Sequence, residues 1–327
     1  MNNVKKLPVV YPPITSYMSH APILSIISDT EEYLPWFIYN YIQIREADDG
    51  IDFSFVSPYC PDVGTFCPHI ELISMKKDFV NKFVNLDVVE FLVKCVEEDY
   101  YIIAGIDMYY ISNYDCYKKS HILHPIFIYG YDHNKKDFCV ADFFNNKKYE
   151  FSKTPFDELK EAYLVCDKSQ FTTFDIQLIK RKPYNHFFRI HDFSYILERY
   201  LTGNETSVIY MDALKGYGLE VFYNIVSSHV ANFTNFQEYD KRILPIFCDH
   251  KRVLKIAAEY LVNNGAQQLN CLLPMYDELY NHCITYRNLL LKYELMNKNN
   301  MFKYEKLYDI KSKEINLLKK TIDLIRR

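Results

Sequence analysis

The spacing of apolar residues predicts two helical segments early in the chain. Over residues 22–44, apolar side chains recur at helical spacing, and Pro35 marks a break in this pattern. Residues 84–96 predict an amphipathic helix, because their apolar side chains, from Val84 to Cys95, fall on one face.

Short apolar and β-branched runs predict strands in the region that follows. The runs cover residues 100–106, 125–131, 137–143, 147–151 and 171–180, and residues 155–162 predict a short helix. The polar residues 132–136 separate the second run from the third and are typical of a turn. The two runs on either side of that turn therefore predict a β-hairpin.

From about residue 186 the helical patterns lengthen and strand-like runs become rare. The predicted helices cover residues 191–201, 218–229, 236–247, 250–263, 266–297 and 302–325. Gly265 lies between two of them, where a glycine commonly ends a helix. The sequence therefore predicts the α+β class, with an α+β N-terminal domain at residues 1–185 and an all-α region at residues 186–327.

The composition is that of a folded chain and argues against several classes of partner. Hydrophobic residues make up 49% of the chain and charged residues 24%. The net charge is −4 and there is no basic stripe, so we expect no nucleic-acid partner, since that binding depends on neutralising phosphates. No apolar stretch reaches about 18 residues, so we expect no membrane span.

The N-terminal residues and the cysteines indicate a cytoplasmic protein. The first residues include two lysines but no apolar run as long as that of a signal peptide. The nine cysteines have no regular spacing, so we expect reduced thiols. Cys60, Cys67 and His69 form a C-x6-C-x-H cluster that lacks a fourth ligand at zinc-like spacing. We interpret the cluster as a loop and expect no metal ion.

One histidine and one aspartate stand where the predicted hairpin would bring them together. His124 directly precedes the run before the turn, and Asp142 lies near the end of the run after it, eighteen residues later. Acyl transfer through a thiolate needs a histidine that moves the thiol proton and a residue that orients the imidazole. His121 is close enough in sequence to be an alternative base. A purely structural hydrogen-bonded pair is the simpler alternative for such residues on adjacent strands.

The wider sequence around this pair resembles a known family. An H-x5-G-Y-D pattern runs from His124 through Gly130 to Asp132, and Asp142 follows at the expected interval. The matching residues are Asp107, Tyr109, Tyr110, His121, His124, Tyr129, Gly130, Tyr131, Asp132 and Asp142. They resemble the bacteriocin-processing branch of the papain-like cysteine peptidases, and within it the natural-product acyltransferases similar to the butirosin acyltransferase N-terminal domain. The resemblance covers roughly the first half of the chain and implies a papain-like cysteine-protease fold there.

The resemblance also gives the nucleophile a position, which alanine occupies. The family places its cysteine near the N-terminus at the start of an apolar helix, and Ala21 followed by Pro22 matches that position, since proline is favoured in a first helical turn. None of the nine cysteines falls there. Either the alanine is native and the protein is a non-catalytic relative, or it replaces the family's cysteine. We favour the replacement, because His124 and Asp142 are both present.

Other nucleophiles and the oxyanion hole fit the family pattern less well. Ser16, Ser19 and Ser25 are alternative nucleophiles, but none matches the helix start as Ala21 does. The family usually supplies a glutamine a few residues before its cysteine, and in this chain Thr15 and Ser16 stand in that place. The backbone N–H of residue 21 is the remaining expected oxyanion donor.

Members of this family transfer an acyl group from the phosphopantetheine thioester of a carrier protein to an amine. The resemblance implies an acyl or peptidyl carrier protein as partner, an amine or diamine as acceptor, and no cofactor beyond the arm that the carrier delivers. It implies that residue 21, as cysteine, is the nucleophile, His124 the base and acid, and Asp142 the orienting residue. Ser19, His20, Tyr110 and His121 are expected to contact the substrate. A cysteine peptidase of the same fold and a non-catalytic binding or scaffold protein are the alternatives.

Overall fold

The chain forms two compact units of different secondary structure. The structure, a computed structural model, describes residues 3–47, 50–53, 64, 67–84, 86–145, 148–166, 176–184, 188–203, 216–237 and 242–327. One unit contains residues 1–30 and 62–184, and the other contains residues 31–61 and 185–327. The first is built on an antiparallel sheet and the second is mainly helical, so the α+β class is confirmed.

Strands predominate in the first part of the chain and helices in the rest. The strands are β1 (Val4–Lys6), β2 (Ile44–Ala47), β3 (Gly50–Phe53), β4 (Ile70–Met75), β5 (Tyr101–Asp107), β6 (Leu123–Asp132), β7 (Asp137–Phe143), β8 (Tyr149–Pro155) and β9 (Ile176–Arg181). The α-helices are α1 (Ala21–Ile27), α2 (Leu34–Tyr41), α3 (Lys77–Phe83), α4 (Val88–Glu97), α5 (Phe156–Val165), α6 (Ile190–Thr202), α7 (Gly218–Thr234), α8 (Ile243–Asn263), α9 (Leu273–Leu295) and α10 (Glu305–Arg326). Short 3-10 helices lie at Glu31–Tyr33, Met108–Tyr110, Gln267–Leu272 and Asn299–Met301.

The first unit is organised around a seven-stranded sheet. Its strand order is β4-β9-β5-β6-β7-β8, with β1 paired to the far end of β6, and every pairing is antiparallel. The predicted hairpin is confirmed as β6 and β7. The strand predicted at residues 171–180 is confirmed from Ile176, and residues 171–175 lie outside the described residues.

The amphipathic helix of the first unit is shorter than its hydrophobic pattern predicted. The helix α4 begins at Val88, because the Asp87 carboxylate accepts a hydrogen bond from the backbone N–H of Val89 and caps it. Val84 lies outside the helix in an extended conformation that ends α3. The predicted start at residue 84 was therefore wrong: apolar spacing continued across a helix boundary that the cap decides.

Gly130 allows β1 to approach β6 closely. A β-bulge lies between Ile128 and Gly130, and beyond it Gly130 pairs with Lys6. A Cβ atom on Gly130 would lie 2.7 Å from the backbone oxygen of Lys5. The glycine of the H-x5-G-Y-D pattern therefore has a packing reason in this fold, because a larger residue would push β1 away.

In the second unit, residues 31–61 belong with the helical region. The imidazole of His250 in α8 donates a hydrogen bond from Nε2 to the backbone oxygen of Ile42, at 2.8 Å. Arg45 in β2 forms an isolated β-bridge with Tyr217. The observed division of the chain thus differs from the predicted one at residues 31–61, because these contacts join segments far apart in sequence.

The secondary-structure elements described after residue 185 are helices, as the sequence predicted, and one of them merges two predicted helices. Helix α8 runs without a break from Ile243, whereas the pattern predicted separate helices at residues 236–247 and 250–263. Phe236, the first residue of the predicted helix, has a left-handed φ of 57° and does not belong to it. Gly265 has φ of 108° just after α8, which agrees with its predicted role in ending the helix.

An ion pair is buried in this helical unit. Lys251 and Glu314 have no exposed side-chain surface, and Nζ lies 2.7 Å from Oε1. The Lys251 ammonium also contacts Nδ1 of His250 at 3.1 Å and the Tyr200 hydroxyl at 3.3 Å. Tyr200 and Tyr223 donate hydrogen bonds to the two oxygens of Glu314, at 3.1 and 2.6 Å. Both charges are therefore compensated inside the unit.

Candidate active site

The hairpin brings the imidazole of His124 against the carboxylate of Asp142. Nε2 of His124 lies 3.1 Å from Oδ1 of Asp142. The register places Phe127 opposite Ala141, so Asp142 lies opposite Ile126, two residues beyond His124. Such diagonal neighbours share one face of a sheet and lie within reach of long side chains. The contact that the hairpin spacing predicted is therefore present.

The pairing leaves one nitrogen of His124 for chemistry. Nε2 contacts the carboxylate, and among the described residues Nδ1 has no hydrogen-bond partner. The His124 side chain is 31% exposed, whereas Asp142 has no exposed surface. A buried carboxylate thus fixes one side of the ring, and the other side can exchange a proton with a reactant.

A third residue, Tyr114, completes the environment of the Asp142 carboxylate. Its hydroxyl donates a hydrogen bond to Oδ2, while Oδ1 accepts one from the backbone N–H of Phe143 at 2.7 Å. Burial, together with the charge of Asp142, raises the pKa of Tyr114 well above its ordinary value. The phenol therefore stays protonated and remains a donor. Sequence reasoning missed Tyr114, because nothing distinguishes it from the other members of a set of 30 tyrosines.

The loop between β5 and β6 holds Tyr114 in place. Asn113 donates from Nδ2 to the Ser152 hydroxyl and accepts from the Thr154 hydroxyl, both at 2.9 Å. Ser112 donates from its backbone N–H and its hydroxyl to Glu158, both at 2.8 Å. These bonds tie the loop to β8 and α5, so the donor to Asp142 belongs to a fixed part of the unit.

Ala21 is the first residue of α1, as predicted, and it is fully buried. Pro22 follows it in the first turn. The backbone N–H of Ala21 donates to the backbone oxygen of Tyr17 at 3.1 Å. This N–H thus already has an acceptor in the structure, and its expected role as an oxyanion donor stays a prediction.

Ser25 connects the start of α1 with the end of β7. Its hydroxyl donates to the backbone oxygen of Ala21 at 2.8 Å and lies 3.3 Å from the Tyr149 hydroxyl. Tyr149 pairs with Phe143, the neighbour of Asp142 in the chain. Burial raises the pKa of Tyr149, and the Asp142 charge adds to the effect. Residue 21 is thereby linked through two hydroxyl groups to the strand end that carries Asp142.

The predicted substrate-contacting residues fall into two groups. Ser19 is exposed just before α1, and His20 is buried with its ring 6.0 Å from that of Tyr17. His121 and Tyr110 lie in the β5–β6 loop, with ring centroids 6.1 Å apart. His121 pairs with a different carboxylate from His124, that of Asp107 at 2.7 Å. As an alternative base, His121 would therefore be oriented by the Asp107 carboxylate and not by that of Asp142.

The described part of the chain shows neither a metal cluster nor a membrane helix. In that part, no three or more His, Cys, Asp or Glu side chains are arranged to hold a metal ion. Cys67 and His69 are buried, and Cys60 of the same motif lies outside the described residues. None of the described helices has both the length and the apolar character needed to cross a membrane.

No protein-family model matches this chain, and no curated protein matches it either.

Proposed function

We propose that the protein has the architecture of an amide-forming N-acyltransferase of papain-like fold. It would move an acyl group from the phosphopantetheine thioester of a carrier protein to an amine or diamine, in nonribosomal natural-product biosynthesis in the cytoplasm. The observation that carries the proposal is the pairing of His124: the buried Asp142 carboxylate holds Nε2, and Nδ1 is left for a reactant. Residue 21 is the position of the nucleophile, where a cysteine would stand in place of alanine.

The reaction would proceed through an acyl-enzyme. Nδ1 of His124 takes the proton of the thiol at position 21, and the thiolate attacks the carbonyl carbon of the thioester. The bond from that carbon to the pantetheine sulfur breaks, and the leaving thiolate takes the proton back from His124. An amine then attacks the acyl-enzyme, the new C–N bond replaces the C–S bond, and the thiol at position 21 is regenerated. Asp142 keeps the imidazole oriented and stabilises its charged form.

The proposal is tested by placing a cysteine at the nucleophile position. The Ala21→Cys variant is incubated with an acylated carrier protein, and intact mass spectrometry follows the protein before and after an amine is added. We expect an acyl adduct that the amine releases as an amide. The double variant Ala21→Cys/His124→Ala controls for nonspecific thiol acylation and should form the adduct at least about hundredfold more slowly. Absence of adduct with every acyl carrier tried would refute the acyltransferase assignment.

The alternatives separate in the same assay. A cysteine peptidase would use the same residues, but the Ala21→Cys variant would then cleave a peptide and would not transfer an acyl group to an amine. A non-catalytic binding protein is favoured by one observation, since residue 21 is alanine and is fully buried. A cysteine codon at position 21 in the natural gene would rule out the non-catalytic binding protein.

A further inference from the structure

A second histidine–carboxylate pair lies at the same end of the sheet as the first. Asp107 is the last residue of β5, directly after Ile106, which is the partner of His124 across the sheet. Oδ2 of Asp107 lies 2.7 Å from Nδ1 of His121. The Asp107 side chain is 5% exposed and that of His121 is 61% exposed. A buried carboxylate thus holds Nδ1 of a largely exposed imidazole, and Nε2 is the nitrogen that this contact does not use.

Aromatic rings surround this second pair. The ring of His121 stacks on that of Tyr109, with centroids 4.2 Å apart and planes 14° from parallel. Tyr110 meets Tyr109 edge to face at 4.9 Å. The second oxygen of Asp107 accepts the backbone N–H of Tyr109 at 3.0 Å, which fixes the 3-10 turn that carries both tyrosines. Aromatic faces next to a carboxylate are the surroundings that attract an organic ammonium ion.

Two carboxylates act on the aromatic part of the cluster. Burial raises the pKa of Tyr110, and the carboxylates of Glu161 and Asp107 raise it further, as a negative field does to a phenol. The ammonium groups of the two lysines in the neighbouring loop contact other groups than the cluster. Lys119 donates to the backbone oxygen of Asp115, and Lys118 lies over the ring of Tyr117.

We infer that Asp107, Tyr109, Tyr110 and His121 bind and deprotonate the ammonium group of the acceptor amine. This inference rests on the proposed function and identifies the site of its second substrate. An alkylamine reaches the enzyme protonated and cannot attack a carbonyl carbon in that form. Nε2 of His121 takes the first proton and passes it to water, and the freed lone pair attacks the acyl-enzyme. The second proton leaves the nitrogen of the new C–N bond and goes, through His124, to the thiolate that departs from the acyl carbon.

The binding step is tested on the chain as it stands, with alanine at position 21. Putrescine is titrated into protein labelled with nitrogen-15 in its histidine rings, and butanediol of the same length is the neutral control. We expect putrescine, and not butanediol, to shift the ring signals of His121. Asp107→Asn and Tyr109→Leu should each weaken this binding severalfold. If putrescine leaves the His121 signals unmoved, or if the diol shifts them equally, the inference is overturned.

The proton-transfer step is tested on the acyl-enzyme of the Ala21→Cys variant. Acylation and aminolysis are timed separately, with and without His121→Asn. We expect the substitution to slow aminolysis by putrescine about hundredfold and to flatten its dependence on pH, because a positioned base typically contributes on that scale. Acylation should change far less, because His124 performs that step.

A matched control and a separate outcome keep the two proposals apart. His133 is an exposed histidine in the β6–β7 turn, at the other end of β6, and His133→Asn should leave aminolysis unchanged. Equal aminolysis rates with and without His121 would overturn the inference. If the Ala21→Cys variant forms no acyl adduct at all, the proposed function fails, and the putrescine titration still decides whether this cluster binds an ammonium ion.

Discussion

The hydroxyl group of Tyr114 donates a hydrogen bond to the oxygen of Asp142 that His124 does not use. The carboxylate is thereby held by the imidazole on the neighbouring strand β6, by a phenol from the loop before β6, and by the backbone N–H of Phe143. Since Asp142 is fully buried, its orientation depends on these donors and not on water. Tyr114 is thus a positioning residue, which acts on His124 through the carboxylate.

Replacing Tyr114 with phenylalanine should destabilise the protein and disturb the pair. The substitution removes one donor to a buried carboxylate, which typically costs about 1–3 kcal/mol of unfolding free energy. Urea denaturation of the parent and of the Tyr114→Phe variant measures this loss of unfolding free energy. In the Ala21→Cys background, we also expect slower acylation, because the carboxylate is freer to turn away from His124.

The same loop offers a control for this experiment. Tyr117 is half-exposed, and among the described residues its hydroxyl has no hydrogen-bond partner. Tyr117→Phe should change stability by less than about 0.5 kcal/mol, as expected for a surface position. If Tyr114→Phe behaves like Tyr117→Phe in both assays, the positioning role of Tyr114 is wrong.

A methyl group at Gly130 should loosen β1 from the sheet. Alanine at this position places Cβ 2.7 Å from the backbone oxygen of Lys5, and backbone atoms cannot yield as a flexible side chain does. We expect Gly130→Ala to cost about 1–3 kcal/mol, as overpacking usually does. Amide hydrogen exchange should accelerate in β1 and remain slow in β9, which pairs elsewhere in the sheet. Uniform exchange behaviour across the sheet would contradict this local explanation.

Local patterns predicted the parts of the fold that depend on neighbouring residues. The hairpin and the His124–Asp142 contact followed from alternation and a polar turn, since strand pairing across a short turn fixes which side chains meet. The Tyr114–Asp142 bond could not be predicted in this way, because a long loop brings the phenol to the carboxylate. The grouping of residues 31–61 with the helical unit depends likewise on contacts between distant segments.

The burial of charged and polar residues in the helical unit could not be predicted from the sequence either. His250 and Lys251 are adjacent polar residues in a helical pattern, where such residues usually mark the solvated face. Both are fully buried because distant parts of the chain supply their partners. Glu314 and the Tyr200 hydroxyl contact Lys251, and the backbone oxygen of Ile42 accepts from His250. Polar residues inside a core are identified by their partners, and these come only from the tertiary structure.

Breaking the buried ion pair should destabilise the helical unit strongly. Lys251→Met leaves the Glu314 carboxylate buried without its cation, and a loss of about 3–5 kcal/mol is expected. The double variant Lys251→Met/Glu314→Leu should recover much of that stability, because no uncompensated charge remains. Urea denaturation of the two single variants, the double variant and the parent gives the coupling energy.

An exposed pair in the same unit is the control for this cycle. Lys313 and Glu278 are 2.6 Å apart and about half of each side chain is exposed. Lys313→Met should change stability by no more than about 1 kcal/mol, because water solvates the partner that remains. Equal losses for Lys251→Met and Lys313→Met would mean that burial does not govern the Lys251–Glu314 pair.

The imidazole of His250 should make the protein less stable in mild acid. Burial, and then the neighbouring charge of Lys251, lower the pKa of His250 well below its ordinary value, so the folded state keeps the ring neutral. In the unfolded chain the ring takes up a proton below about pH 6.5. The unfolded state then binds more protons than the folded state, so stability falls by up to about 1.4 kcal/mol for each unit of pH below that point.

The variant His250→Gln isolates this contribution from that of the carboxylates. Glutamine can still accept a hydrogen bond from Lys251 and donate one to the backbone oxygen of Ile42, but it does not titrate. We therefore expect the variant to be less stable than the parent at pH 8, because the glutamine side chain fits both hydrogen bonds less well than imidazole does. Between pH 7 and pH 5 the variant should lose less stability than the parent, by about 1 kcal/mol or more. His191→Gln, at an exposed position of α6, should follow the parent. If the parent and His250→Gln lose the same stability over this range, His250 does not remain neutral in the folded state.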